Sequence, residues 1–374
     1  MKYYIIAGEA SGDLHASNLM AAIKKNDPSA VFRCWGGDLM KAQGAEIVKH
    51  IREISFMGFA EVLSNLRTIL RNIRFCKSDI DRYNPDALIL VDYPGFNLKI
   101  AAYARQQGYK VIYYVSPQIW AWKQSRVYAI KKNVDKMLVI LPFEKEFYQR
   151  FSYEADFVGH PLLDAIDNYK KANNSSHFRE EHNLGEQPIV ALLPGSRKQE
   201  IIRMLKMMVS VCDDFKELQF VIAGAPSISP GFYSELLQGK EVKIAYNKTY
   251  DLLENAAAAL VTSGTATLEA ALFGVPEVVC YKGSWISYLI ARLVIKVKYI
   301  SLVNLIMDKK IVTELIQTEL SKANLVMELK QLLYNTSHIT QLKSDYALLK
   351  HKLGDSGASE KAAAVIHTYL NSGQ

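Results

Sequence analysis

Cysteine is scarce and scattered. Cys34, Cys76, Cys212 and Cys280 stand far apart in a chain of 374 residues, with no CxxC pair. That excludes a disulfide scaffold and a cysteine-built metal site, and points to reduced thiols in a cytosolic protein. The eight histidines include no HxxxH or HExxH spacing, so a histidine-built metal centre has no support either. No apolar run approaches the roughly 20 residues of a membrane span. The opening, MKYYIIAGEASGD, starts directly on a strand-like run and lacks the longer apolar core of a signal peptide. Low-complexity segments and short internal repeats are missing as well. What is present is an ordinary globular composition, 49% hydrophobic and 22% charged, with a formal net charge of +7. Such an excess fits a nucleotide, a phosphorylated substrate or an acidic lipid surface, and equally a charge that serves only solubility.

A chain of this length exceeds one ordinary core, so two domains are expected. Apolar runs at 3–7, 31–35, 87–91, 111–115 and 137–141 read as buried strands, with amphipathic stretches at 14–25, 60–82 and 98–107 between them. That alternation predicts a parallel sheet covered by helices. A polar stretch at 168–187 is the best linker, after which strands are expected at 188–193, 219–223, 258–262 and 277–281. The reading is therefore α/β: two Rossmann-like domains facing a cleft, at 1–167 and 188–321, followed by a helical tail at 322–374.

Four strand-to-helix turns carry candidate chemistry. Gly8-Glu9-Ala10-Ser11-Gly12-Asp13 places small residues where a helix N-terminus favours negative charge. It is not GxGxxG, and a plain turn with Asp13 as a cap explains it as well. Asp92, after the run Ala87-Leu88-Ile89-Leu90-Val91, lies at the carboxyl end of a strand, where ligands bind and a half-desolvated carboxylate can act as a base; a turn aspartate before Pro94 is the equal alternative. Pro194-Gly195-Ser196-Arg197 combines a close backbone, a helix cap at Ser196 and a forked cation, a good cradle for a diphosphate. In Thr262-Ser263-Gly264-Thr265-Ala266-Thr267-Leu268-Glu269, clustered hydroxyls and amides suit phosphate, and Glu269, one helical turn after Thr265, can reach a ribose diol.

Two further features have competing readings. Trp120 and Trp122 sit in a Pro-containing loop, Ser116-Pro117-Gln118-Ile119-Trp120-Ala121-Trp122, and suit an acyl chain or a sugar face, although core packing explains at least one ring. Asp79-Ile80-Asp81 is formally a DxD, but within a helix its two acids point to different faces, so it reads as solvated surface.

In this order the motifs resemble the lipid-A-disaccharide synthase family. GEASGD, VDYPGFN, YVSPQIWAWK, LPFEKEFY, FVGHPL, LLPGSRKQEI, SGTATLEA and Ser301-Leu302-Val303-Asn304-Leu305 carry the likeness from Gly8 to about Glu314. The resemblance implies the GT-B architecture, with the lipid acceptor on the first domain and UDP on the second. It implies transfer from UDP-2,3-diacylglucosamine to 2,3-diacylglucosamine 1-phosphate with inversion, giving a β-1,6-linked disaccharide and UDP. In that reaction Asp92 is the first choice of base and Glu9 the second. Arg197 and Ser196, the Ser263-Gly264-Thr265 segment and Lys282 take the diphosphate; Glu269 holds the ribose and Asn304 contacts the donor. No cofactor and no metal is expected. A UDP-sugar 2-epimerase of the same architecture and a non-catalytic UDP-sugar-binding protein at the membrane are the alternatives.

The acceptor implied is membrane-borne. Phe56-Met57-Gly58-Phe59 leads into a helical stripe of Phe59, Val62, Leu63, Leu66, Ile69, Leu70 and Ile73, with Arg67, Arg71, Arg74 and Lys77 beside it. Met57, Phe59, Arg67 and Arg71 are therefore expected to hold the first domain on the cytoplasmic leaflet of the inner membrane, with 285–298 as a weaker second contact. A helix packed on its own sheet is the alternative reading. The expected location is cytoplasmic and peripheral; a homo-oligomer is compatible with the sequence, and no nucleic-acid partner is expected.

Overall fold

The computed structural model describes residues 1–54, 66–172, 177–226, 228–284, 288 and 297–372. The chain divides into two compact units. The first comprises Met1–Asp164 with Leu353–Gln374, the second Ala165–Lys352.

The first unit is built on seven parallel strands, β1 (Lys2–Ala7), β2 (Val31–Gly36), β3 (Glu46–His50), β4 (Ala87–Val91), β5 (Val111–Tyr114), β6 (Lys136–Val139) and β7 (Asp156–Phe157), in the order β3-β2-β1-β4-β5-β6-β7. The central strands β1, β4 and β5 are buried along nearly their whole length, as parallel strands covered on both faces must be. The second unit repeats the arrangement with β8 (Ile189–Leu193), β9 (Gln219–Gly224), β10 (Lys243–Tyr246), β11 (Ala256–Thr262), β12 (Glu277–Tyr281) and β13 (Thr313–Ile316), in the order β10-β9-β8-β11-β12-β13. Each sheet thus follows the doubly wound Rossmann order, reversing direction between its first and fourth strands. That makes β1/β4 one switch point and β8/β11 the other.

Three sequence expectations change. The boundary between units falls at Asp164/Ala165, inside the helix Pro161–Ala172, upstream of the polar stretch expected to be the linker. Within that stretch Phe178 is buried in the core of the second unit. The helices after residue 322 are shared out instead of forming one tail. Lys322–Tyr334 buries Leu325, Leu329 and Leu332 in the second unit, whereas Ala358–Asn371 packs on the helix Ala10–Asn26 of the first. There Lys25 pairs with Glu360 at 2.9 Å, and Asp164 accepts the N–H groups of Gly357 and Ser359, supplying the first turn of the last helix with an acceptor.

Asp79 is the third. Its carboxylate is buried and accepts from Arg33 at 2.7 and 2.9 Å and from the Tyr4 hydroxyl at 2.8 Å; Trp35 Nε1 donates in turn to Tyr4 at 2.8 Å. Burial opposes ionisation here, but Arg33 and Tyr4 outweigh it and hold the carboxyl below its ordinary range. Asp79 is therefore an architectural anion, not solvated surface. Asp81 is exposed and takes the Tyr103 hydroxyl, so the two acids of the formal DxD serve different neighbours.

Candidate functional site

At the first switch point Ala7 pairs with Val91, so the segments after β1 and β4 leave the sheet side by side. Glu9 is the N-cap residue of the helix Ala10–Asn26 and its side chain makes no cap bond. Asp13, expected as a cap for that helix, lies inside its first turn. It accepts instead the N–H groups of Gly37 (2.7 Å), Leu39 (3.1 Å) and Met40 (3.2 Å), ordering the start of the next helix, Asp38–Ala42.

After β4 the backbone is strained. Asp92 (φ 44°) and Tyr93 (φ 50°) are consecutive non-glycine residues in the left-handed region, a conformation that persists only where its surroundings enforce it. The enforcement is visible. Buried Asn97 donates to the carbonyls of Asp92 (2.8 Å) and Val91 (3.2 Å), Tyr113 Oη also donates to the Asp92 carbonyl, and Tyr93 Oη donates to the Ile54 carbonyl at 3.1 Å. The Tyr93 ring covers Gly8, where an added Cβ would lie 2.3 Å from it; only glycine lets the ring settle there.

Held this way, the Asp92 carboxyl is pushed up to about 6, chiefly by burial and further by the charge of Glu9, against a favourable bond from the Tyr93 N–H. A carboxyl titrating near 6 is ionised at neutral pH yet more basic than an ordinary aspartate, which suits a general base.

One strand further, Val115 (φ 61°) repeats the strain on a β-branched residue. The two tryptophans of the loop beyond part company. Trp120 is buried, with Nε1 on Glu144 Oε1 at 3.0 Å and its ring edge-on to Phe143. Trp122 is 46% exposed. Glu144, part of the LPFEKEFY stretch but given no role from the sequence, also accepts the Leu141 N–H at 3.0 Å, and burial pushes its carboxyl up to about 7.

The second switch point is built differently. Val261 pairs with Leu193, so Pro194–Arg197 and Thr262–Thr265 emerge together. Gly195 (φ 108°) and Gly264 (φ 141°) supply the unusual backbone, and no side chain caps either following helix, Lys198–Met208 or Thr265–Leu272. Ser196, expected as a cap, is exposed one residue too early; Arg197 holds the N-cap position in extended conformation. Arg197 is exposed, with a loose 3.5 Å pairing to Glu200, and Ser263 Oγ donates to the Ile300 carbonyl at 2.9 Å. Glu269 is raised by burial, which a bond from the Tyr250 hydroxyl at 3.3 Å partly offsets. Tyr250, unmarked by any sequence pattern, packs edge-on to Tyr169 and against Phe273. It also lines a pocket of about 440 Å³ with Tyr169, Asn247, Lys248, Thr249 and Asp251.

Lys282 and Asn304, also expected at the donor, have contrasting surroundings. Lys282 follows β12, one strand away from β11, and is exposed. Asn304 is fully buried: its amide donates to the Val312 carbonyl and Glu314 Oε1, both at 2.9 Å, and its oxygen accepts the N–H groups of Ile311 (2.7 Å) and Val312 (3.0 Å). With every hydrogen-bonding position taken, Asn304 orders this turn and positions Glu314, which accepts the Ser301 N–H at 2.9 Å.

In the first unit the helix Leu66–Tyr83 buries Ile73, Cys76 and Ile80 while leaving Leu66 (47%) and Leu70 (41%) exposed beside exposed Arg67 and Arg71. Met57, Phe59 and most of 285–298 lie outside the described residues. No described helix is long and apolar enough to cross a membrane, and no cluster of three or more His, Cys, Asp or Glu among the described residues is suited to a metal ion.

Two Rossmann-ordered sheets, each with a polar turn at its switch point, define the GT-B class of glycosyltransferases and related sugar-nucleotide enzymes. Solved structures agree on the fold. A UDP-GlcNAc 2-epimerase from Neisseria meningitidis bound to UDP-GlcNAc superposes with a TM-score of 0.69 at 12% identity, covering 99% of this chain and 100% of that one. The calicheamicin glycosyltransferase CalG4 gives 0.62 at 15% identity, covering 99% and 98%. Within that class, the lipid-A-disaccharide synthetase family model matches residues 3–366. The lipid-A-disaccharide synthase of Syntrophus aciditrophicus is 37% identical over 373 residues, 98% of this chain and 97% of its relative. The chain belongs to the lipid-A-disaccharide synthase family and is a glycosyltransferase of lipid A biosynthesis acting on lipid A precursors.

Proposed function

We propose that the chain transfers 2,3-diacylglucosamine from its UDP-linked form to the 6-hydroxyl of 2,3-diacylglucosamine 1-phosphate in a single inverting displacement. The acceptor is bound by the first unit and UDP by the second. Asp92 takes the acceptor's proton as the hydroxyl attacks C1, and Glu9 tunes it. Arg197, the Ser263-Gly264-Thr265 segment and the free helix N-termini stabilise the charge growing on the diphosphate. Glu269, steadied by Tyr250, takes the ribose, with the neighbouring pocket as room for the base. The observation that carries this reading is the raised, half-buried Asp92 carboxylate at the first switch point, beside an uncommitted Glu9.

The exposed leucines and arginines of Leu66–Tyr83 support seating on the cytoplasmic leaflet of the inner membrane, because an apolar stripe flanked by cations binds anionic lipid. Sedimentation with anionic liposomes tests this: Arg67→Glu with Arg71→Glu should release the protein, and unchanged sedimentation removes the helix from the interface.

A second reading follows from the fold neighbour bound to UDP-GlcNAc, an epimerase that would act on the UDP-sugar alone. Measuring UDP release with and without the acylated glucosamine 1-phosphate separates the two. Release that requires the acceptor supports transfer; turnover without it, with the sugar epimerised, overturns it.

A further inference from the structure

Arg126 is a half-buried arginine without a carboxylate in ion-pair range among the described residues. Its guanidinium carbon lies 5.2 Å from the centre of the exposed Trp122 ring, and Lys123 Nζ lies 5.7 Å from the same ring. Half-buried arginines ordinarily meet an anion, because the fork has five donors to satisfy. Here an aromatic face and a second cation occupy its surroundings.

The position is informative. β5 pairs with β4 through Val91 and Tyr114, so the loop carrying Ile119–Trp122 and the start of Arg126–Asn133 emerges one strand from Asp92. Tyr113 links the two places. Its hydroxyl donates to the Asp92 carbonyl. Burial raises its pKa far above the ordinary value, the Asp92 charge adds to this, and the positive charge of Arg126 works against it. Arg126 thus lies within electrostatic range of Tyr113, whose hydroxyl reaches the Asp92 turn.

We propose that Arg126, with Lys123, binds the phosphate of the phosphorylated acceptor sugar, while Trp122 carries the sugar face or the start of an acyl chain. This rests on the acceptor reading of the first unit given above. An unpaired fork matches phosphate oxygens bidentately, and the Trp122 ring lies within cation–π range of it, so the site selects a ligand that is anionic at one end and apolar beside it.

The test compares the phosphorylated acceptor with the same acylated sugar lacking its phosphate, in neutral detergent micelles. For Arg126→Gln, kcat/KM on the phosphorylated acceptor should fall about 10–100-fold, mainly through KM, the range expected for a charged hydrogen bond. The dephosphorylated acceptor should be used equally well by variant and wild type. Arg126→Lys should recover part of the loss, and Lys132→Gln, on the same helix, should lose nothing. Equal losses on both acceptors would make Arg126 a structural residue and overturn the assignment. A loss seen only with anionic vesicles, and absent in neutral micelles, would assign the cation to a lipid headgroup instead. The wild type reports on the underlying reading: no disaccharide from either acceptor overturns both.

Discussion

The two switch points share a strand order and almost nothing else. After β4 the backbone turns through non-glycine residues, Asp92 and Tyr93, held in the left-handed region by Asn97, Tyr113 and the ring stacked over Gly8. After β8 and β11 the unusual dihedrals belong to Gly195 and Gly264, and the helices that follow begin without side-chain caps. The first arrangement stores strain to place one carboxylate out of water beside another acid. The second leaves backbone N–H groups open to an anion. In the proposed function one fold used twice therefore carries a reactive group in the first unit and a binding surface in the second, so that the chemistry follows the turns, not the sheets.

Removing the base should show the largest contrast. Asp92→Asn should lower kcat by about 10²–10⁴-fold while raising the melting temperature near pH 8. The sign follows from linkage: a carboxyl lifted from 3.8 to about 6 on folding costs stability as pH rises through that window, fully so above it. Asparagine carries no charge and tolerates φ above zero better than most residues. The stability gain should shrink below pH 6. Near-normal turnover in this variant would make Asp92 structural and pass the role of base to Glu9.

Next in size is the loss at the second switch point. Glu269→Ala should weaken UDP binding by roughly 1.5–3 kcal/mol, as expected when a charged hydrogen bond is removed, with Tyr250→Phe weakening it less because that hydroxyl only orients Glu269. Calorimetry giving wild-type affinity for folded Glu269→Ala would move the ribose elsewhere. A smaller effect is expected for Glu9→Gln. The rising limb of kcat against pH, set by deprotonation of Asp92 near 6, should move to lower pH because a repelling charge has gone. An unmoved limb would separate Glu9 from the base. The smallest change is none: turnover should survive EDTA, and a loss restored by Mg²⁺ or Mn²⁺ would contradict the assignment of the diphosphate charge to Arg197 and helix amides.

The central strands were legible because β1, β4, β8 and β11 are buried on both faces and read as unbroken apolar runs. The missed strands, β3 (EIVKH), β7 (DF), β10 (KIAY) and β13 (TELI), are edges or near-edges, short and half exposed, with no such run to betray them. The same limit applied to side chains. Glycine and hydroxyl clusters at strand ends marked both switch points, but Tyr250 and Glu144 owe their surroundings to contacts distant in sequence. Asp79 shows the reverse error: a helix pattern places its face correctly but cannot reveal that Arg33 and Tyr4 wait opposite it. Asn304 orders its own turn through four hydrogen bonds, whereas its donor role rests only on the family resemblance of the motif at 301–305.

The division of labour is tested most directly by titrating UDP calorimetrically into two folded variants, Asp92→Asn and Arg197→Ala. The account predicts wild-type affinity for Asp92→Asn and a loss of about 10–100-fold for Arg197→Ala, the range of a charged hydrogen bond. Weakened UDP binding in Asp92→Asn, or unchanged binding in Arg197→Ala, would contradict it.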